Sequence, residues 1–181
     1  MALGFALAPQ ARASFIDYYD FSNFTVSSTS DGFAFTPDAG VTLEVIGGND
    51  GSGVPGTTTA LITAPTSGTV QFNYQYNSLD SPTFDSAGYV LNGVFSQFAD
   101  TDGENGAISF AVNSGDSFGF EVWTADNTGE PGILAVTNFN APEGANTSVP
   151  EPGTVSLFLL AAIAGALYLR ARRGATHEGN A

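Results

Sequence analysis

Carboxylates are the only side chains of this sequence that are numerous enough, and suitably placed, to act as metal ligands or as catalytic acids and bases. All of them except Glu151 and Glu178 lie between Asp17 and Glu143, a stretch without lysine, arginine, histidine or cysteine. Carboxylates without such partners can ligate a hard cation such as calcium, or act as the acid and base of a glycosidase. An excess of aspartate can equally keep an extracellular domain soluble. The sequence alone leaves these three interpretations open.

Six of the carboxylates form two candidate sets of cation ligands. Three of them fall in one acidic loop, residues 100–106, whose oxygen-rich composition suits calcium. The loop departs from the EF-hand pattern, because Asn105 stands where that pattern has glycine and Ala111 where it has glutamate. The other three would meet only if distant loops lie at one end of the fold. The candidate ligands are Asp80, Asp85, Asp100, Asp102, Glu104 and Asp126. Solvated acidic turns and unrelated surface aspartates are the alternatives.

Missing residue types exclude several classes of function. The only histidine is His177, close to the end of the sequence, and there is no cysteine. The body therefore lacks the partners that Ser-His-Asp, Cys-His and Schiff-base catalysis require. A net charge of -14 with four basic residues excludes nucleic-acid binding, which needs lysine or arginine to neutralise phosphates. No pair of carboxylates stands out as a glycosidase site, so we expect a protein that is not an enzyme.

Hydrophobic periodicity predicts an all-β body. In residues 69–76 apolar and polar side chains alternate, so that Val70, Phe72, Tyr74 and Tyr76 share one face. Clusters of turn-forming residues separate the predicted strands, which are residues 41–46, 58–63, 69–76, 88–95, 107–112, 117–123 and 133–139. Seven or eight short strands of this kind predict an antiparallel two-sheet sandwich of the jelly-roll type.

Four aromatic residues of these strands have the ring faces that suit stacking on sugars. They are Tyr74, Tyr76, Tyr89 and Trp123. Their position in the alternation places most of them on the buried side of the strands, which favours packing in the core. We therefore expect these rings to stabilise the sandwich rather than to form a sugar-binding platform.

Residues 71–139 resemble a CUB-type jelly-roll module. The resemblance lies in Asp80-Ser81-Pro82-Thr83-Phe84-Asp85, in the following strand with Leu91-Asn92-Gly93, and in Asn113-Ser114-Gly115-Asp116 with the later Asp126. It implies the same sandwich and a meeting of Asp80, Asp85 and Asp126 at one end. The cysteines of CUB modules are absent, so the resemblance implies no function.

The N-terminal residues have the character of an export signal. A short apolar stretch, residues 2–8, precedes Ala11 and Ala13, and small residues at these two positions suit cleavage by signal peptidase before Ser14. The usual basic start of such a signal is missing. We expect residues 1–13 to be the end of a signal peptide whose true start lies further upstream.

The C-terminal apolar run has the character of a membrane anchor. Residues 155–169 carry no charge and span about 22 Å as a helix, against roughly 30 Å of hydrocarbon. The arginines that follow, Arg170, Arg172 and Arg173, can extend the span by snorkelling and orient the tail towards the cytoplasm. We expect a single transmembrane helix with the acidic body outside.

The residues before and after this run complete a known pattern. Val149-Pro150-Glu151-Pro152, then a short apolar helix, then an arginine cluster resembles the PEP-CTERM sorting signal of bacterial exosortase substrates. The resemblance implies export, tethering in the inner membrane and processing near Pro-Glu-Pro by an exosortase. It further implies delivery to the cell surface or to an extracellular polysaccharide matrix such as a biofilm.

The sequence as a whole thus predicts five segments. They are a signal peptide at residues 1–13, a β-sandwich at 14–140, a linker at 141–149, the sorting and anchor segment at 150–173, and a cytoplasmic tail at 174–181. The expected partners are signal peptidase, exosortase, the membrane and an extracellular polysaccharide. We expect a non-catalytic matrix protein. A calcium-dependent carbohydrate-binding module and a secreted glycosidase are the alternatives.

Overall fold

The computed structural model describes residues 15–80 and 84–143. These residues form two short 3-10 helices, Asp17–Tyr19 and Phe21–Asn23, followed by ten strands. The strands are β1 (Thr25–Ser28), β2 (Phe33–Phe35), β3 (Leu43–Ile46), β4 (Gly56–Thr63), β5 (Gly68–Asn77), β6 (Asp85–Leu91), β7 (Val94–Ala99), β8 (Asn105–Val112), β9 (Ser117–Thr124) and β10 (Ile133–Asn140). The predicted signal peptide, transmembrane helix and cytoplasmic tail lie outside the described residues. Within those ranges no helix is long and apolar enough to cross a membrane.

The strands form two antiparallel sheets of five, which confirms the predicted two-sheet sandwich. Sheet A has the order β1-β4-β9-β6-β7, and sheet B has the order β2-β3-β10-β5-β8. Consecutive strands alternate between the sheets except at β2–β3 and at β6–β7. Each pair joins an odd-numbered strand to an antiparallel even-numbered one, so the loops that follow odd-numbered strands gather at one end of the sandwich, which we call the loop end.

The core lies between the two sheets and is rich in aromatic rings. The predicted face of β5 is correct: Val70, Phe72 and Tyr76 are buried, and Tyr74 packs against the core. Phe139 stacks on Phe15 with ring centroids 4.7 Å apart, and edge-to-face contacts join further rings around them. Burial of this apolar face leaves the opposite face of β5 for solvent.

One predicted strand is wrong. Residues 88–95 do not form a single strand, because the chain reverses at Asn92 and Gly93 and separates β6 from β7. Both residues have positive φ, 51° and 79°, as a type I′ hairpin turn requires. The Asn-Gly dipeptide was the available sequence signal for this hairpin.

Two strands that the sequence did not predict are present, and the end of the body also differs from the prediction. β1 and β2 have only four and three residues, too short for a clear alternation, and they are found at the edges of the two sheets. After β10 the chain stays on the sandwich, since Ala141 is buried and the Tyr19 hydroxyl donates to the carbonyl of Pro142 at 2.8 Å. The start of the predicted linker, residues 141–142, therefore packs on the body.

Candidate functional site

An open groove runs along the outer face of β5, on the side away from the core. Successive side chains of a strand point to opposite faces, so the burial of Val70 and Phe72 directs Gln71, Asn73 and Gln75 outward. All three are exposed. The pattern that builds the core thus also builds a row of three amides, with about 6.8 Å between neighbours along the strand.

The neighbouring strands supply the walls and floor of this groove. β8 and β10 pair with β5 on either side and place the small side chains of Ala107 and Ala135 beside the amides. The wider part of the groove, around Asn73 and Gln75, has a volume of about 670 Å³. A narrower part of about 250 Å³ continues towards Gln71 and shares Asn73 and Ala107 with the first. We call the whole the amide groove.

A β-bulge completes one wall of the amide groove. The register of β10 against β5 shifts between Thr137 and Asn140, and Asn138 within this interval has a φ of 50°. Asparagine tolerates this left-handed conformation better than most residues. The bulge turns Asn138 outward, where it is exposed and lines the narrower part of the groove.

The amides of this groove have unused hydrogen-bonding capacity. The side chains of Gln71, Asn73, Gln75 and Asn138 make no hydrogen bond within the described residues. Asn105 uses only its amino group, which donates to the carbonyl of Gly103 at 3.2 Å. A carboxamide offers two donors and one acceptor oxygen, so the row can donate to and accept from a ligand at once.

The groove is uncharged in a strongly acidic molecule. None of the residues that line its two parts is acidic or basic. The carboxylate of Glu44 belongs to β3, where Glu44 is paired with Ala135 across β10, one strand spacing of about 4.8 Å beyond the groove wall. A surface with this composition has no group for acid–base catalysis, but it can bind hydroxyl-rich, neutral molecules.

The carboxylates of the predicted acidic loop lie at the loop end, next to the wider part of the groove, which the last two residues of the loop, Asn105 and Gly106, help to line. These carboxylates are engaged by the loop itself: Glu104 accepts from the backbone N–H groups of Asp100 and Thr101 at 2.8 and 3.3 Å. Asp102 accepts from the backbone N–H of Ser78 at 3.1 Å. These bonds close the β7–β8 connection and tie it to the end of β5, as capping carboxylates do in tight turns.

The second predicted set also reaches the loop end, and its members differ in environment. Asp85 is only 2% exposed, and the hydroxyl of Ser78 donates to it at 3.1 Å. Desolvation raises the pKa of Asp85, against the lowering effect of hydrogen bonds from Thr124 and Ser78. Asp126, by contrast, is half-buried and accepts from the backbone N–H of Thr128 at 3.0 Å.

The six predicted ligands therefore share one end of the sandwich without forming a compact cluster. Within residues 15–80 and 84–143, no group of three or more acidic side chains is placed to hold a metal ion. Asp80 lies beside Gly129 in the β9–β10 loop, and its charge contributes to the raised pKa of Asp85. Calcium binding by these residues stays a prediction.

The aromatic residues follow the expected preference for the core only in part. Tyr76 is fully buried, whereas Tyr74, Tyr89 and Trp123 are half-buried. Tyr89 stacks on Phe110 with centroids 4.2 Å apart, which is core packing rather than a free ring face. An aromatic pair on edge strand β2 was not predicted from the sequence: exposed Phe33 stacks on half-buried Phe35 with centroids 5.8 Å apart.

The C-terminal signal was compared with known sequence families. The family model of the PEP-CTERM protein-sorting motif matches residues 148–173. The chain carries a PEP-CTERM sorting motif. This match confirms the resemblance drawn from Val149-Pro150-Glu151-Pro152 and from Arg170, Arg172 and Arg173. The PEP-CTERM motif and the predicted signal cleavage at Ala11, Ala13 and Ser14 lie outside the described residues.

The sandwich was compared with known sequences and structures. No curated protein sequence matches the chain. A family 35 carbohydrate-binding module from Clostridium thermocellum is 20% identical, covers 64% of this chain and 92% of its own, and has a TM-score of 0.36. CBM35 from Paenibacillus barcinonensis is 16% identical, covers 67% and 95%, and has a TM-score of 0.35. Likenesses with scores this low assign no ligand and no activity to this PEP-CTERM protein.

Proposed function

We propose that this protein is an exported, non-catalytic component of the cell surface or extracellular matrix, sorted and processed by an exosortase. The PEP-CTERM motif at residues 148–173 supports the route. The body is proposed to associate with extracellular polysaccharide, and the observation that carries this step is the amide groove. It is open and uncharged, and four of its amides, Gln71, Asn73, Gln75 and Asn138, make no side-chain hydrogen bond to another described residue.

The sorting step has a direct test in the host. The intact mass of the mature protein is measured in strains with and without the exosortase gene. The proposal expects a species that begins near Ser14 and lacks the apolar run of residues 155–169 only when the exosortase is present. An intact C-terminus in both strains would contradict processing and leave a surface protein anchored by its tail.

The association step has a separate test. The protein purified from host membranes in detergent is passed over immobilised extracellular polysaccharide from the same strain. Retention that is released by excess soluble polysaccharide supports the proposal. If the protein elutes together with an unrelated control protein of the same net charge, it does not associate with the polysaccharide. This conclusion holds whether or not the C-terminus is processed.

Calcium-dependent carbohydrate binding is the second candidate, and the position of the predicted carboxylate ligands at one end of the sandwich favours it. The loop end of the sandwich contains Asp100, Asp102 and Glu104 within one connection and the buried Asp85 beside it. A cation that binds only the folded state raises its stability with concentration. A melting temperature that rises with millimolar calcium, together with calcium-dependent retention on polysaccharide, would establish this candidate over the first.

A further inference from the structure

We infer that the amide groove selects an extended, uncharged polysaccharide chain lying along β5, and that it rejects anionic chains. The inference rests on the proposed association with polysaccharide and specifies its ligand and its site. Three properties of the groove support this inference: the negative charge of the surrounding protein, the regular spacing of the amides, and the open, continuous shape of the groove.

Charge decides against an anionic ligand. The protein carries a net charge of -14, and its body, residues 14–149, has no basic residue. The groove contains no cation that could pair with a uronic acid or a sulfate, while Glu44 stands one strand beyond Ala135. A polyanion would meet repulsion without a compensating contact, and at physiological salt the repulsion extends over about 8 Å.

The spacing of the amides favours a chain over a single sugar. Gln71, Asn73 and Gln75 repeat at every second residue of a regular strand, so their carboxamides are held at a constant interval on a rigid base. The two parts of the groove join at Asn73 and Ala107 and follow the same strand. A ligand that fills both parts is elongated and hydroxyl-rich, and its repeating units meet successive amides.

Small side chains allow such a chain to approach the sheet. Ala107 and Ala135 flank the amides on β8 and β10, and Gly106 adjoins them. Because these side chains are small, the groove stays deep enough for a ligand to approach the backbone of the sheet. Hydroxyl groups near them can donate to a carboxamide oxygen and accept from its N–H groups in one plane, a pairing that a neutral polyol satisfies without leaving a charge desolvated.

The stacked pair Phe33 and Phe35 lies outside this ligand's path. β2 is separated from β5 by β3 and β10, which places the pair about 14 Å from the row of amides. Binding through the groove therefore depends on amide hydrogen bonds rather than on ring stacking. This separation also provides a control on the same face of the same sheet.

The test uses the full chain in detergent and the extracellular polysaccharide of the producing strain, separated on an anion exchanger into neutral and acidic fractions. Affinity is measured by the electrophoretic retardation of the protein in gels that contain each fraction. The double variant Asn73→Ala/Gln75→Ala removes two amides. Gln97→Ala removes one amide from β7 on the other sheet, and Phe33→Ala removes an exposed ring.

The inference expects the wild type to bind the neutral fraction and not the acidic one. The double variant should lose about tenfold or more in affinity, because two hydrogen bonds disappear, while its melting temperature stays unchanged. Gln97→Ala and Phe33→Ala should bind as the wild type does. Asn73→Asp, which keeps the shape but adds a charge, should weaken binding to a similar extent.

The following results would overturn it. Binding of the acidic fraction alone would show that the groove does not select neutral chains. Equal affinity of the double variant would show that the groove is not the binding site. Both results leave the proposed association with polysaccharide intact. Loss of binding in Phe33→Ala moves the site to β2. A wild type that binds neither fraction contradicts the proposed association as well. Sedimentation completes the test, because a change of oligomeric state in the double variant would identify a second copy of the chain as the occupant.

Discussion

The amide groove and the loop end are both polar surfaces, but their side chains are in opposite situations. At the loop end Asp85 and Asp102 accept hydrogen bonds from Ser78, and Glu104 accepts from Asp100 of its own loop. In the groove the side chains of Asn73 and Gln75 have no such partner among residues 15–80 and 84–143. The loop end is conspicuous in the sequence because of its charge, whereas the groove is not. The amides of the groove are therefore available to a ligand, whereas the carboxylates of the loop end already hold their own connections in shape.

The backbone that carries the polar side chains also differs between the groove and the loop end. The amides of the groove stand on β5, which is hydrogen-bonded on both sides, by β8 and by β10. The carboxylates of the loop end stand mainly in connections that need them to hold their shape. Substitutions at the loop end should therefore change stability, and substitutions in the groove should change binding.

The largest effect is expected at Asn127, a residue of the β9–β10 loop that is 1% exposed. Its amide N–H donates to the carbonyl of Val54 at 2.7 Å, and its φ is 54°. Asn127→Ala removes this bond, leaves a cavity and places alanine in a left-handed conformation. The free energy of unfolding should fall by about 2–3 kcal/mol, measured by urea denaturation.

Asn73→Ala is the matched control, since it removes the same side chain from the groove. Its free energy of unfolding should stay within about 0.5 kcal/mol of the wild type. Equal costs at Asn127 and Asn73 would contradict the distinction between the two regions.

A smaller loss is expected from Glu104→Ala. The variant leaves the backbone N–H groups of Asp100 and Thr101 without their acceptor, which should cost about 1 kcal/mol. Glu104→Gln keeps an acceptor oxygen and should lose less. Both variants are compared by urea denaturation with and without calcium. A calcium effect that is present in the wild type and disappears in Glu104→Gln would show that the loop binds the cation.

The buried carboxyl of Asp85 should give a pH dependence of known sign. Burial raises its pKa, so the folded state holds this proton more tightly than the unfolded state does. Its stabilising contribution is complete below the ordinary pKa of about 3.9 and is lost as pH rises through the raised value. The stability of the wild type relative to Asp85→Asn should therefore decline as pH rises above about 4.

The comparison with Asp85→Asn isolates this residue from the exposed carboxylates. Hydrogen bonds from Asn113 and Asn92 lower the pKa of Asp116, for example, which works in the opposite direction. Such contributions are present in both proteins and cancel. A wild type that gains stability over Asp85→Asn as pH rises would contradict the raised pKa.

The smallest effect is expected at the aromatic pair of β2. Phe33 is 51% exposed, and its main described contact is the ring of Phe35. Phe33→Ala should lower the free energy of unfolding by less than about 1 kcal/mol, measured by urea denaturation. A larger loss would show that this edge of sheet B is part of the core rather than a free surface.

Local patterns in the sequence predicted most of the fold. The alternation of residues 69–76 gave the buried face of β5 correctly, because one buried and one solvated face force a period of two. The hairpin at Asn92 and Gly93 was missed, although its dipeptide is a strong local signal. β2 could not be predicted, since three residues cannot show a period and its partner β3 determines its position.

The sequence predicts one part of the candidate site and not the other. The row Gln71, Asn73 and Gln75 follows from the same alternation as the core. Its walls do not, because the pairing of β5 with β10 joins residues about sixty positions apart in the chain, and local sequence carries no record of that pairing. The bulge that presents Asn138 depends on the same long-range register.

The central claim is that the groove, and not the loop end, contacts the polysaccharide. The most direct test follows the side-chain NH₂ signals of isotope-labelled protein by NMR during titration with the neutral polysaccharide fraction. Binding in the groove should shift the signals of Gln71, Asn73 and Gln75 and leave the signal of the buried Asn127 unchanged. Shifts confined to residues of the loop end, such as Asn49 or Asn127, would contradict it.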